Sequence, residues 1–282
     1  MSHSPCLLMV APNGARRVYT DHPAIPLTPE ELARDAQQCV KAGASMMHLH
    51  VREPNGRHLL DVTAYKEAIS AINEAVGDQL ILQVTSEAAG RYTPNEQRRV
   101  IEALQPASVS VAVREWFGDR HEIDASGELC RYLAAKNCHI QYIVYSPEDL
   151  AYFNLLRQQG CLPHGRAFLL FVLGRYSTPP LADPGSLTGF LHALEKDDAW
   201  AVCAFGTTEG ECMSIAAQQG GHVRVGFENN LWRADGKLTN SNADIVTDTR
   251  IRIEAAGRSV MNVQQTRHFL ALTTGAGREG EL

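Results

Sequence analysis

The chain has 282 residues, with 26 Lys+Arg against 32 Asp+Glu, a formal charge of −6 and a pI near 6.0. Hydrophobic residues at 44% and charged residues at 21% suit a chain that buries a large core, and they exclude disorder, collagen-like repeats and a coiled-coil rod. The acidic balance argues against a non-specific nucleic-acid binder, and no apolar run approaches the roughly 20 residues that a membrane helix requires.

In chain order, compact β-rich runs at 6–10, 46–51, 80–85, 108–113, 140–145, 168–173, 200–205 and 223–227 read as strands buried on both faces. Helical patterns fall after each of them. The first opens on Thr28-Pro29-Glu30-Glu31, an N-cap, a proline at N1 and a glutamate at N3, and it closes at Ala42-Gly43. The others are predicted at 64–76, 94–104, 127–136, 147–159, 185–195, 211–219 and 243–256. Parallel strands need crossover connections, and helices supply them. Eight strand-then-helix units predict an α/β chain folded as a (β/α)8 TIM barrel over 1–258. A doubly wound open sheet would want a glycine-rich fingerprint after its first strand, and Ala11-Pro12-Asn13-Gly14-Ala15 is not one. Residues 259–282 are expected to form a C-terminal extension packed on the barrel, frayed from Gly275 onward.

The opening MSHSPCLLMVAP lacks a basic n-region, and its apolar stretch runs straight into Pro12. Seven cysteines with no C-x-x-C pair read as scattered reduced thiols. Together these predict a cytoplasmic protein.

Barrel enzymes work at the C-terminal ends of their strands. On the second, His48 and His50 are two apart and share a face, with Leu49 opposite. Such a pair is half of a metal site or a hydrogen-bonded pair of core histidines. On the eighth, Arg224, Gly226 and Glu228 share a face, and strand closure brings this strand and the second to either side of the first. Two histidines and a carboxylate then make a catalytic-metal arrangement; a structural Arg224–Glu228 ion pair is the plain alternative. Thr85 and Ser86 end the third strand, where hydroxyls either bind a substrate or simply turn the chain. In the first loop, Arg16 or Arg17 is placed to recognise an anion, although loop arginines are commonly just solvated. Gly206-Thr207-Thr208 and Gly220-Gly221 lie where barrels often hold phosphate.

The segments A-P-N-G-A after the first strand, Met47-His48-Leu49-His50-Val51-Arg52-Glu53, Gln83-Val84-Thr85-Ser86 and Gly221-His222-Val223-Arg224-Val225-Gly226-Phe227-Glu228-Asn229-Asn230 resemble the β-keto acid cleavage enzymes across nearly the whole chain. The resemblance implies an oligomeric barrel, a tetramer, holding a divalent metal, typically Zn2+, at His48, His50 and Glu228. It implies condensation of a small β-keto acid with acetyl-CoA, then retro-Claisen cleavage to acetoacetate and a new acyl-CoA. Arg224 and Thr85 match family catalytic positions, and Asn13, Arg16, Ser86 and Glu87 are the expected substrate-binding residues.

Four departures bear on activity. Asn229 stands where the family places an aspartate base, and an amide cannot take a proton at neutral pH. Arg16 replaces an acid of the first loop, and the fifth strand carries Ile143 where a glutamate near a substrate ammonium is expected. Glu87 interrupts a glycine-rich stretch. The losses imply a keto acid without an ammonium group, neutral or additionally anionic, with the base supplied by Glu87, Glu209 or a metal-bound hydroxide. Two other readings stay open: a catalytically degenerate barrel that binds a metal and an acyl-CoA or keto acid, and a metal-dependent hydrolase. The second is weakened because His139, His164 and His192 do not lie at strand C-terminal ends.

Overall fold

A computed structural model describes residues 4–273. Its strands and helices run β1 (Leu8–Val10), α1 (Pro29–Ala42), β2 (Met46–Leu49), β3 (Val51–Arg52), β4 (His58–Leu59), α2 (Val62–Val76), β5 (Ile81–Thr85), α3 (Pro94–Leu104), β6 (Ser108–Ala112), α4 (Val113–Trp116) and α5 (Ile123–Ala135). They continue through β7 (His139–Val144), α6 (Pro147–Gln158), β8 (Phe168–Leu173), α7 (Leu187–Ala193), β9 (Ala199–Ala204), α8 (Glu209–Gln218), β10 (His222–Val225), α9 (Asn242–Ala255) and α10 (Val263–Ala271). Eight strands close a parallel barrel in the order β1-β10-β9-β8-β7-β6-β5-β2, so the chain is a (β/α)8 TIM barrel.

The strand period sorts side chains into two layers. Leu7, Met9, Met46, Phe168, Leu170, Val172 and Cys203 fill the barrel. Leu8, Val10, Met47, Leu49, Leu169, Phe171, Val223 and Val225 point out against the helices. Each fully buried aliphatic or aromatic side chain of these layers stabilises the fold by about 1.5–3 kcal/mol. The helices start where the sequence supplies caps. Thr28 and Glu31 form a reciprocal capping box on α1, as do Thr93 and Glu96 on α3, and Ser146 and Ser241 cap α6 and α9.

Some segments depart from expectation, among them the eighth barrel strand, which ends at Val225 rather than 227. The second strand ends at Leu49 rather than 51, because the chain after His50 enters the antiparallel β3–β4 hairpin around Pro54-Asn55-Gly56. Helix α5 starts at Ile123, a turn before the expected 127: its N-terminus has no side-chain cap to read, and Ser126 gives its hydroxyl to the Trp116 carbonyl. Val113, expected to end a strand, opens the short α4.

Over 259–273 the chain passes beneath the barrel. Val260 pairs with Cys6, and Phe269 packs edge-on against Phe168 and His222 at the N-terminal end of the strands. This closes the bottom and leaves the C-terminal mouth for chemistry. The expectation of fraying from Gly275 lies outside the described residues.

Candidate metal centre and active-site cavity

Strand alternation carries the candidate ligands to the mouth. Between outward Met47 and Leu49, His48 turns inward, and His50 follows it; their exposures are 1% and 0%. On the other side of β1, Arg224 turns inward between Val223 and Val225, and Glu228 follows the outward Phe227. The turn after β1 passes so close that a Cβ on Gly14 would stand 2.6 Å from Glu228 Cγ, and Gly14 has φ +60°. Glycine is the residue that fits there. Arg52 donates to the carbonyls of Gly14, Asn13, Arg17 and Gly56, which ties this turn to the β3–β4 hairpin.

His48 Nε2 lies 3.9 Å and His50 Nδ1 4.0 Å from Glu228 Oε2, with the two rings edge-to-face at 4.9 Å. Each imidazole uses its other nitrogen elsewhere. His48 Nδ1 bonds Gln83 Oε1 at 2.8 Å, and His50 Nε2 bonds Glu87 Oε2 at 3.1 Å. His50 Nδ1 and Glu228 Oε2 are buried without a hydrogen-bond partner. Buried polar atoms left unpaired are uncommon, and three donor atoms this close together fit one divalent ion. Burial first, then Arg224 and His50, pushes His48 well below its usual range, so it is neutral. Burial alone would raise Glu228, but Arg224, His50, Arg175 and Arg17 outweigh it and hold the carboxyl below its ordinary value. A neutral imidazole and an ionised carboxylate are the protonation states a metal requires.

The cavity over this trio has a polar half, formed by Thr85, Glu87, Ser110, Tyr145, Arg175 and Arg224 beside His48 and Glu228. Its other half is apolar: Ala112, Ile143, Val172 and Phe205. Arg224 donates Nη2 to Glu228 Oε1 at 3.3 Å, while its Nε and Nη1 are buried without partners. Thr85 accepts the Glu87 amide N–H on its hydroxyl. Burial raises Glu87, but the His50 hydrogen bond and charge bring it below its usual range.

Thr85, Glu87 and Arg224 therefore meet His48 and Glu228 in one cavity, with His50 behind Glu87. Other residues singled out in the sequence do not line it. Asn13 is buried and spends its amide N–H groups on the carbonyls of Pro26 and His50. The Ser86 hydroxyl donates to the Ser110 carbonyl. Arg16 is exposed and lines a neighbouring cavity with Arg57, His58 and Arg91. Asn229 has 0% exposure, with neither amide atom hydrogen-bonded. Arg17 rather than Arg16 reaches the β10 turn, donating to the carbonyls of Phe227 and Asn229. Glu209 is buried beside Asn230 and does not line the cavity.

Gln83, Ser110, Tyr145 and Arg175 also belong to this site, although the sequence assigned none of them a role. The first three are readable in principle: each lies at an inward position near the end of its strand, in step with His48's neighbours or with Ile143. Arg175 is not, because Gly174 at φ +76° interrupts the strand alternation just before it.

The fold and this site define a TIM-barrel protein with a two-histidine, one-glutamate candidate metal centre at its strand C-termini. The model of the β-keto acid cleavage enzymes matches residues 5–272, and the chain belongs to that family. It is 28% identical over 269 residues to the 3-keto-5-aminohexanoate cleavage enzyme of Fusobacterium nucleatum, covering 92% of this chain and 95% of that one. It is 26% identical over 277 residues to the 3-oxoadipate:acetyl-CoA acetyltransferase of Cupriavidus necator, covering 95% of each. Among solved structures, apo ObcA superposes with a TM-score of 0.71 at 14% identity over 88% of this chain. The match spans 65% of ObcA's length and supports the fold alone.

Proposed function

We propose that the chain is a divalent-metal-dependent β-keto acid cleavage enzyme that condenses a β-keto acid with acetyl-CoA and releases acetoacetate and a new acyl-CoA. The observation that carries this is the His48–His50–Glu228 trio opening on a cavity that also holds Arg224, Thr85 and Glu87. The names of the relatives, one a keto acid cleavage enzyme and one an acetyl-CoA transferase, support it. His48, His50 and Glu228 would hold the metal, and nitrogen and oxygen donors of this kind suit zinc. When bound, the metal supplies Lewis-acid polarisation of the keto acid's carbonyl.

The chain's own groups account for the remaining steps. Glu87 and Glu228 are the carboxylates lining the cavity among the described residues, and Glu228 is taken as a ligand. Glu87 is thus the base: it removes a proton from the carbon between keto group and carboxylate. That carbon attacks the acetyl thioester, a C–C bond forms and the CoA thiolate departs. The thiolate adds to the original keto carbon, the older C–C bond breaks, and Glu87 returns its proton to the departing acetoacetate carbon. Arg224's unpartnered Nε and Nη1 stabilise oxygen charge in both additions. Thr85, whose oxygen already accepts the Glu87 amide, has its own proton free to donate to substrate.

Ile143 on the cavity wall offers nothing to an ammonium group, which supports a keto acid lacking one. The same reading makes the protein a cytoplasmic homo-oligomer, a tetramer, with small-molecule partners and neither nucleic acid nor membrane. No helix among the described residues is long and apolar enough to cross a membrane. Asn229 favours one second reading, a barrel that binds metal and ligand without turnover. Incubating metal-loaded protein with acetyl-CoA and a panel of neutral, cationic and anionic β-keto acids, with acyl-CoA products followed by mass, tests the proposal. A new acyl-CoA is expected; metal-loaded protein that yields none from any acid overturns it in favour of the binding reading.

A further inference from the structure

Every charge on the cavity wall but one is already engaged. Glu228 meets Arg224, and Glu87 meets His50. Arg175 has neither a hydrogen bond nor an ion pair among the described residues, although it is half-buried and lines the same cavity as His48 and Glu228. Its guanidinium lies over the Phe205 ring at 5.1 Å, and its charge is felt at Glu228. The loop that carries it is firmly seated. The Ala182 amide bonds the Phe205 carbonyl, Ser177 Oγ bonds the Gly174 carbonyl, and a Cβ on Gly174 would stand 2.4 Å from the Ala182 nitrogen.

A half-buried guanidinium held in place without an anion is a recognition group awaiting one, since its fork suits a carboxylate in bidentate contact. On that reading the metal end of the cavity would take the carboxylate and keto group common to all β-keto acids, and would not need Arg175. We propose that Arg175 binds a second, distal carboxylate, and that the preferred substrates are β-keto dicarboxylic acids. This rests on the keto acid cleavage reading above and narrows its substrate class. The phosphates of acetyl-CoA are the competing anions. They lie at the far end of the pantetheine arm from the reacting thioester, whereas Arg175 shares the innermost cavity with the reacting centre.

The test compares two β-keto acids of equal length, one ending in carboxylate and one in methyl, on metal-loaded wild-type protein, Arg175→Met and Arg175→Lys. Wild type should favour the dicarboxylate in kcat/KM by about 10- to 100-fold. Arg175→Met should erase that preference by lowering kcat/KM for the dicarboxylate far more than for the methyl-ended acid, and Arg175→Lys should keep part of it. An unchanged preference in Arg175→Met, or a raised KM for acetyl-CoA alone, overturns the assignment. Calorimetry with unreactive saturated mono- and dicarboxylic acids separates this from the catalytic reading. Arg175-dependent tighter binding of the dicarboxylate supports the assignment even if nothing turns over; equal binding to wild type and Arg175→Met sinks it.

Discussion

Glu87 accepts a hydrogen bond from His50 Nε2 at 3.1 Å, and this contact decides which nitrogen His50 presents to Glu228. An ionised carboxylate only accepts, so Nε2 carries the proton and Nδ1 keeps its lone pair. Gln83 does the same for His48 through Nδ1, leaving Nε2 to face Glu228. Carboxylates and amides behind metal-binding imidazoles fix tautomer and ring orientation.

Two substitutions at Glu87 should therefore separate. Glu87→Ala removes the acceptor and should weaken metal binding by about 10- to 100-fold. Glu87→Gln keeps an acceptor oxygen, so metal affinity should stay near wild type while turnover is lost with the base. Competition against a chelator of known affinity measures the first effect and product formation the second. If Glu87→Ala holds metal as tightly as wild type, the His50 contact does not orient the ligand.

Gly14→Ala should damage the same centre from the opposite side. Its Cβ would stand 2.6 Å from Glu228 Cγ at a backbone φ of +60°, so the turn, the glutamate or both must move. Strain of this kind costs about 1–3 kcal/mol. Thermal melts with and without Zn2+ report it: the variant should melt lower, and the rise in Tm on adding metal should shrink. An undiminished metal-induced rise would mean that Glu228 does not depend on the bare backbone at position 14.

How far the sequence discloses this site depends on what each residue does with its hydrogen-bonding groups. The trio is legible because strand alternation runs through His48, His50, Arg224 and Glu228, and because the barrel rule places their ends together. The eight units are legible because caps such as Thr28 and Ser241 mark where helices begin. Asn13 and Ser86 have the right chemistry at the right ends, yet backbone carbonyls claim their side chains, and that claim has no sequence signature. Arg175 is hidden for another reason. Leu169, Phe171 and Leu173 face outward, so alternation would send residue 175 outward as well, until Gly174 turns the chain.

The position after Glu228 can be tested by adding the acid that the family resemblance leads one to expect. Asn229 is fully buried, and the cavity does not reach it. Asn229→Asp should leave turnover no higher than wild type, and it should not rescue Glu87→Gln in the double variant. Initial rates of acyl-CoA formation for the four proteins settle this. Restored activity in the double variant would return the base to position 229 and remove Glu87 from that role.

Glu209 supplies a test of stability against pH that is independent of the metal. It opens α8 fully buried, with Oε2 accepting from Asn230 and Oε1 unpartnered. Burial pushes its pKa from 4.5 up to about 8, and the Asn230 hydrogen bond and the nearby Gly226 amide only partly offset that. The folded chain therefore keeps a proton at Glu209 through a range where the unfolded chain has released it. Fewer protons on the unfolded state mean that stability falls as pH rises, from near 4.5 until about 8, and then levels off. Glu209→Gln, which keeps the shape without the proton, removes this contribution. The variant's stability relative to wild type should climb across that window, at a limiting rate of about 1.4 kcal/mol per pH unit. Urea unfolding of both proteins at pH values near 5 and above 8, at equal metal content, gives the comparison. Parallel curves at the two pH values would show that Glu209 is ionised in the folded protein, and that Arg17 and the surrounding amides stabilise its charge after all.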